Sequence, residues 1–168
     1  IGATGAGKST LARRHYKPTD IISSDYARGL ISDDENDQAI SVDAFDLVAT
    51  IAEKRLKHRR LAVIDATNVR APDRKRWVEL ARKWHALPAA IVLDVDLDDC
   101  MAHNKDRPDR QFGPGVPQRM IGEIRKGLRG LEREGFRQVW RLKGPEEIAS
   151  ATLTRDPLWT DKRGLSGP

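Results

Sequence analysis

A single cysteine, Cys100, stands among 168 residues. That excludes an internal disulfide framework and a cysteine-built zinc cluster, and it fits a reducing, cytoplasmic compartment in which the thiol is buried and inert. No apolar run approaches the ~18 residues a membrane span needs. Internal repeats and low-complexity tracts are absent as well, so one compact core is the expectation for this length. With 39% hydrophobic and 33% charged residues the composition is that of a soluble, globular chain.

Two acidic motifs are nearly present and fail on particular positions. In Asp94-Val95-Asp96-Leu97-Asp98-Asp99 an EF-hand loop needs glycine where Asp99 stands and glutamate where Lys105 stands. A D-x-D phosphatase motif needs Thr or Val in place of Asp98, and no lysine or acidic pair completes it. The run reads instead as a strand end followed by an acidic first helical turn, which complements the helix dipole.

What is present is more informative. Gly2-Ala3-Thr4-Gly5-Ala6-Gly7-Lys8-Ser9 fits the P-loop pattern G-x-x-x-x-G-K-[ST] without a mismatch, and the helix-forming stretch Thr10-Leu11-Ala12-Arg13-Arg14 follows. Three glycines let backbone N–H groups turn inward around a triphosphate, Lys8 adds a charge against the β and γ oxygens, and the Ser9 hydroxyl can hold Mg²⁺. The start of the next helix adds unpaired donors and a favourable dipole. A P-loop follows a buried strand, and Ile1 is the one residue of it in the sequence.

Beyond this loop, short apolar runs alternate with amphipathic stretches. Ile21-Ile22, Leu61 to Ile64, Ala89 to Leu93 and Val139 to Leu142 suit strands of a parallel sheet buried on both faces. Helices are expected over Ser41 to Arg59 with Ser41 as N-cap, from Pro72 through Trp84, and over Gln118 to Glu134 ending at Gly135. The alternation predicts an α/β three-layer sandwich, and together with the P-loop it gives a three-layer P-loop fold with a parallel sheet, its first strand truncated, and a helical lid.

Ligands in open α/β sheets sit at the carboxyl ends of strands, so polar residues just after each apolar run are the candidates. Asp25 and Arg28 follow Ile21-Ile22 at i, i+3 spacing, which puts both on one helix face. Asp65, Ala66, Thr67 and Asn68 follow the second run, where a carboxylate can meet hydrated Mg²⁺ and Thr67 or Asn68 can orient a substrate. Taken alone, Asp25 and Asp65 also suit plain capping roles; the P-loop in the same chain tips both toward function. Asn104 to Pro117 carries Arg107 and Arg110 around Pro108 and then Gly113, Pro114 and Gly115, the pattern of a lid whose arginines close over a γ-phosphate. Surface pairing of these arginines with Asp106 and Asp109 is the alternative.

The net charge of +5 is clustered. Lys54 to Arg60, Arg70 to Arg76, and Arg82 with Lys83 suit either a polyanionic partner or solvated helix faces.

Taken in order, the P-loop, Ser23-Ser24-Asp25 with Arg28-Gly29-Leu30, Ser32 to Gln38, Val63 to Asn68, Asn104 to Arg110, and Glu132 to Phe136 make the chain resemble the kinase module of bacterial polynucleotide kinase-phosphatase. The resemblance runs from residue 2 to about residue 159. It implies a P-loop polynucleotide 5′-kinase domain over 1–159 and a linker over 160–168 toward a downstream phosphatase module, with no phosphatase activity in these residues.

The activity so implied is transfer of the γ-phosphate of ATP or another nucleoside triphosphate, with Mg²⁺ or Mn²⁺, to the 5′-OH of RNA or DNA during end-healing and repair. By position, Gly2 to Thr10 become the nucleotide-binding loop, Lys8 and Ser9 the phosphate and Mg²⁺ contacts, and Asp25 the general base. Arg28 becomes a contact to the terminal phosphodiester, Arg107 and Arg110 the lid arginines, and Asp65, Thr67 and Asn68 line the substrate side. The lid segment is richer in Gly and Pro than the family's more helical continuation. A small-molecule kinase and a nucleotide-gated ATPase share the scaffold. The first would show a flat response to salt, and the second would hydrolyse ATP with no acceptor present.

Overall fold

A computed structural model describes residues 1–105 and 113–154. Helix α1 (Lys8–His15) follows the P-loop, and strand β1 (Ile21–Ser23) follows a 3-10 turn at Pro18–Asp20. Then come α2 (Ser24–Ser32), α3 (Ser41–Lys57), β2 (Val63–Asp65), α4 (Ala71–Lys83), β3 (Ala89–Asp94) and α5 (Leu97–Lys105). The rest is α6 (Gly115–Gly127), a 3-10 turn, α7 (Leu131–Glu134), β4 (Gln138–Lys143) and α8 (Gly144–Ser150).

All strand pairs are parallel, as strand-helix-strand alternation requires. β1 pairs with β2 in the register Ile21↔Val63, Ile22↔Ile64, Ser23↔Asp65. β3 pairs with β4 from Ala89↔Gln138 to Asp94↔Lys143. Ile1 and Gly2 enter between the two pairs: Leu93 N–H donates to the Ile1 carbonyl at 2.8 Å and Gly2 N–H to the Thr67 carbonyl at 3.1 Å. Gly2 also forms an isolated parallel bridge with Leu93. The first-strand position is thus held by these two residues. A trough of about 510 Å³ continues from them, walled by Val63 and Ile64 on one side and Ala90 and Ile91 on the other.

Two apolar clusters hold the helices on the strands. Ile22, Ala27, Ala44, Val48 and Ala52 join β1, α2 and α3, with Trp77 and Leu80 of α4 packed against them. Ala3, Ala6, Leu11, Val78, Val92, Leu93, Cys100, Ile124 and Leu131 join the P-loop, α1, α4, β3, α5, α6 and α7. Cys100 is fully buried there, and burial pushes its thiol pKa up, as expected of an inert cysteine.

Three local expectations change. Ser41 is the first helical residue of α3 rather than its cap; Ile40 occupies the cap position and the Ser41 hydroxyl donates to the Gln38 carbonyl at 2.9 Å. The Gln118 to Glu134 helix begins earlier, at Gly115, and breaks into a 3-10 turn at Leu128–Gly130, where Gly127 and Gly130 weaken helical continuation. Its apolar stripe and its left-handed stop at Gly135, φ +110°, are as expected. β4 is not buried on both faces; Trp140 is 45% exposed, because the strand has a single pairing partner among the described residues.

Candidate functional site

The parallel register fixes where the polar strand ends fall. Because Ser23 pairs with Asp65, the start of α2 and the Asp65-Ala66-Thr67 turn emerge side by side. The Gly2 contacts to Leu93 and Thr67 hang the P-loop over the same edge. One cleft of about 650 Å³ results. The P-loop from Thr4 to Thr10, Asp25, Arg28, Asp65, Thr67 and His103 all line it.

The P-loop has the backbone its glycines allow. Gly5 has φ +79° and Gly7 φ +85°, both in the left-handed region that side chains disfavour. A Cβ on Gly5 would come 2.3 Å from the Cys100 carbonyl oxygen, whereas one on Gly7 would meet nothing within 4 Å. Lys8 begins α1, and its ammonium donates to the Ala3 carbonyl at 2.7 Å. α1 has no side-chain cap at Gly7, leaving its first-turn N–H groups directed at the cleft.

Ser23 caps α2 by accepting from Tyr26 N–H at 3.3 Å, so Asp25 has no capping role. Asp25 sits in the first turn, and Arg28 donates to its Oδ1 from one turn on, as the i, i+3 spacing predicts. Arg28 is only 6% exposed, and its Nε donates to the Glu35 carbonyl at 2.8 Å. The acidic stretch after α2 therefore returns to hold the arginine that holds the carboxylate.

Asn68 departs from its expected place on the substrate side. It is buried with φ +48°, its Oδ1 accepts from Trp77 Nε1 at 2.9 Å, and its carbonyl accepts from Arg74 at 2.9 Å. Its side chain anchors α4, and it does not line the cleft with Asp65 and Thr67. Arg107 and Arg110 lie outside the described residues.

Several charges of the basic clusters are paired within the chain. Arg74 is 2% exposed and grips Glu134 with two bonds, Nε to Oε2 at 2.7 Å and Nη2 to Oε1 at 2.6 Å. Arg55 reaches Asp20, Arg76 reaches Asp46, and Lys83 reaches Glu53. Asp94, nearly buried, accepts from Arg125 and Arg141, and Asp96 pairs with Arg125. Burial works against ionisation of Asp94, yet those hydrogen bonds outweigh it and hold the carboxyl below its ordinary pKa.

Sequence reasoning passed over His103, which reaches the P-loop, and a wall of the cleft formed by Arg14, Pro145, Ile148 and Ala149. Arg14 donates to the Ala149 carbonyl at 2.7 Å and to that of Ile148.

Comparison with known proteins gives an AAA domain match over residues 1–131, most of the chain and all of the P-loop side of the cleft. The chain belongs to the AAA domain family. This AAA domain is a nucleotide-binding P-loop domain of the NTPase and kinase type, with a mixed α/β fold of short parallel strands. No curated protein matches the chain. Among the described residues, no helix of the AAA domain is long and apolar enough to cross a membrane.

The donor set suits a hard, strongly hydrated cation. Ser9 and Asp65 offer oxygen ligands in the cleft, and no group of three or more His, Cys, Asp or Glu capable of caging a metal occurs among the described residues. Mg²⁺ or Mn²⁺ held through one or two protein oxygens plus substrate phosphates fits that chemistry.

Proposed function

We propose that the chain transfers the γ-phosphoryl group of ATP, or another nucleoside triphosphate, to the 5′-hydroxyl of an RNA or DNA end. The observation that carries this reading is that a carboxylate held by an arginine, Asp25 with Arg28, opens into the same cleft as a complete P-loop. Phosphoryl transfer asks for alignment and charge neutralisation, with little covalent work by the protein.

In the proposed reaction Asp25 accepts the proton of the attacking 5′-OH. That oxygen bonds to the γ-phosphorus as the bond to the β–γ bridging oxygen breaks, and the nucleoside diphosphate leaves. The P-loop amides and Lys8 hold the β and γ oxygens, and Thr67 helps orient the acceptor. Ser9 and Asp65 would hold the divalent ion, which when bound offsets charge on those oxygens. Arg107 and Arg110 are proposed to close over the transferring group.

Arg28 contributes by fixing Asp25 and by presenting positive charge to the acceptor's terminal phosphodiester. Support from the basic clusters is narrower than their number suggests, since Arg55, Arg74, Arg76 and Lys83 have internal carboxylate partners. The wall of Arg14, Pro145 and Ile148 suits a stacked nucleobase. Residues 160–168 are proposed to lead into a downstream phosphatase module, the whole acting in end repair.

The test uses γ-labelled ATP with oligonucleotides carrying either a 5′-OH or a 5′-phosphate. Label should pass only to the 5′-OH strand, and log affinity should fall with log salt by roughly 0.7 for each phosphate contact. Release of labelled phosphate at the same rate with no acceptor would mean an ATPase, and a flat salt response would mean a metabolite kinase.

A further inference from the structure

His103 stands in the last turn of α5, outside the motifs that marked the site. Its Nδ1 lies 2.9 Å from the Gly5 carbonyl oxygen. A carbonyl only accepts, so Nδ1 carries the hydrogen in this contact. The same peptide unit is tied at its other end, where Ala6 N–H donates to the Ala3 carbonyl at 3.2 Å. Both polar groups of the Gly5–Ala6 peptide are therefore engaged, one by the loop itself and one by α5.

We propose that His103 is a positioning residue for the phosphate cradle, holding the Gly5 carbonyl turned toward α5. The need for such a hold follows from the glycines. Gly5 sits at φ +79° with no side chain of its own to restrain it, and glycine crosses between backbone basins at little cost. Rotation of this peptide plane would aim a carbonyl dipole, rather than none, at the anion the loop cradles. A misdirected carbonyl repels phosphate oxygens as strongly as an N–H attracts them.

α5 supplies the rest of the bracket. The Cys100 carbonyl lies where a Gly5 side chain would be, so the helix backbone closes against one face of the loop while His103 takes its carbonyl. Cys100 is fully buried, which fixes α5 against the core and gives the imidazole a rigid base. His103 itself is exposed along the cleft, so it contributes little to the core.

The inference rests on the reading that the loop binds a triphosphate. The test measures MgATP affinity by calorimetry, and KM for ATP and for the oligonucleotide, in the parent, His103→Ala and His103→Asn. Asn can place an amide N–H close to where Nδ1–H stands. His103→Ala should weaken MgATP about five- to tenfold, as loss of one neutral hydrogen bond would. KM for the oligonucleotide and the melting temperature should stay near the parent's, and His103→Asn should recover affinity to within about two- to threefold. The inference is overturned if His103→Ala binds MgATP as the parent does, or if Asn is as weak as Ala at an unchanged melting temperature. A parent that binds no triphosphate would instead remove the function on which the inference rests.

Discussion

The Arg28 guanidinium bridges two parts of the chain, donating through Nη2 to the Asp25 carboxylate and through Nε to the Glu35 carbonyl at 2.8 Å. Lysine has no planar fork with which to make both bonds. Arg28→Lys should leave MgATP binding near that of the parent while lowering transfer to a 5′-OH end by about 10- to 100-fold, the scale of a misplaced reacting group. Calorimetry and initial rates measured on the same preparation check the split.

Gly5 and Gly7 share a left-handed backbone and differ in surroundings. Gly7→Ala meets only conformational strain, of about 1–2 kcal/mol. Gly5→Ala adds a collision with the Cys100 carbonyl, so it should lose MgATP binding far more completely. Equal binding by the two variants would contradict the close packing of α5 on the loop.

Arg74 ties α4 to α7 and to the Asn68 and Val69 carbonyls from inside the protein. Arg74→Ala leaves Glu134 and both carbonyls without their donor, and should cost roughly 3–5 kcal/mol by urea denaturation. Exposed Lys75→Ala, one residue away, should change stability by less than about 0.5 kcal/mol.

The loop, the parallel strands and the i, i+3 pairing of Asp25 with Arg28 were legible in sequence because each is written in local order: a motif, a short apolar run, a helical spacing. Contacts made across the fold were not. Arg74 looks like one more member of a basic cluster until Glu134, 60 residues on, folds against it. Asn68 carries the same polar signal as Thr67, yet a left-handed turn sends it toward Trp77 instead of the cleft. His103 is a lone histidine in an ordinary helix, and only the approach of α5 to Gly5 gives it a partner. β4 reads as a buried run, but its exposure depends on which strands lie beside it.

The acceptor-activating role of Asp25 is checked by substituting Asn, which keeps the shape and removes the base. Asp25→Asn should bind MgATP as the parent does and transfer label to a 5′-OH oligonucleotide about 10²- to 10⁴-fold more slowly. Transfer within a few-fold of the parent rate would contradict the proposed mechanism.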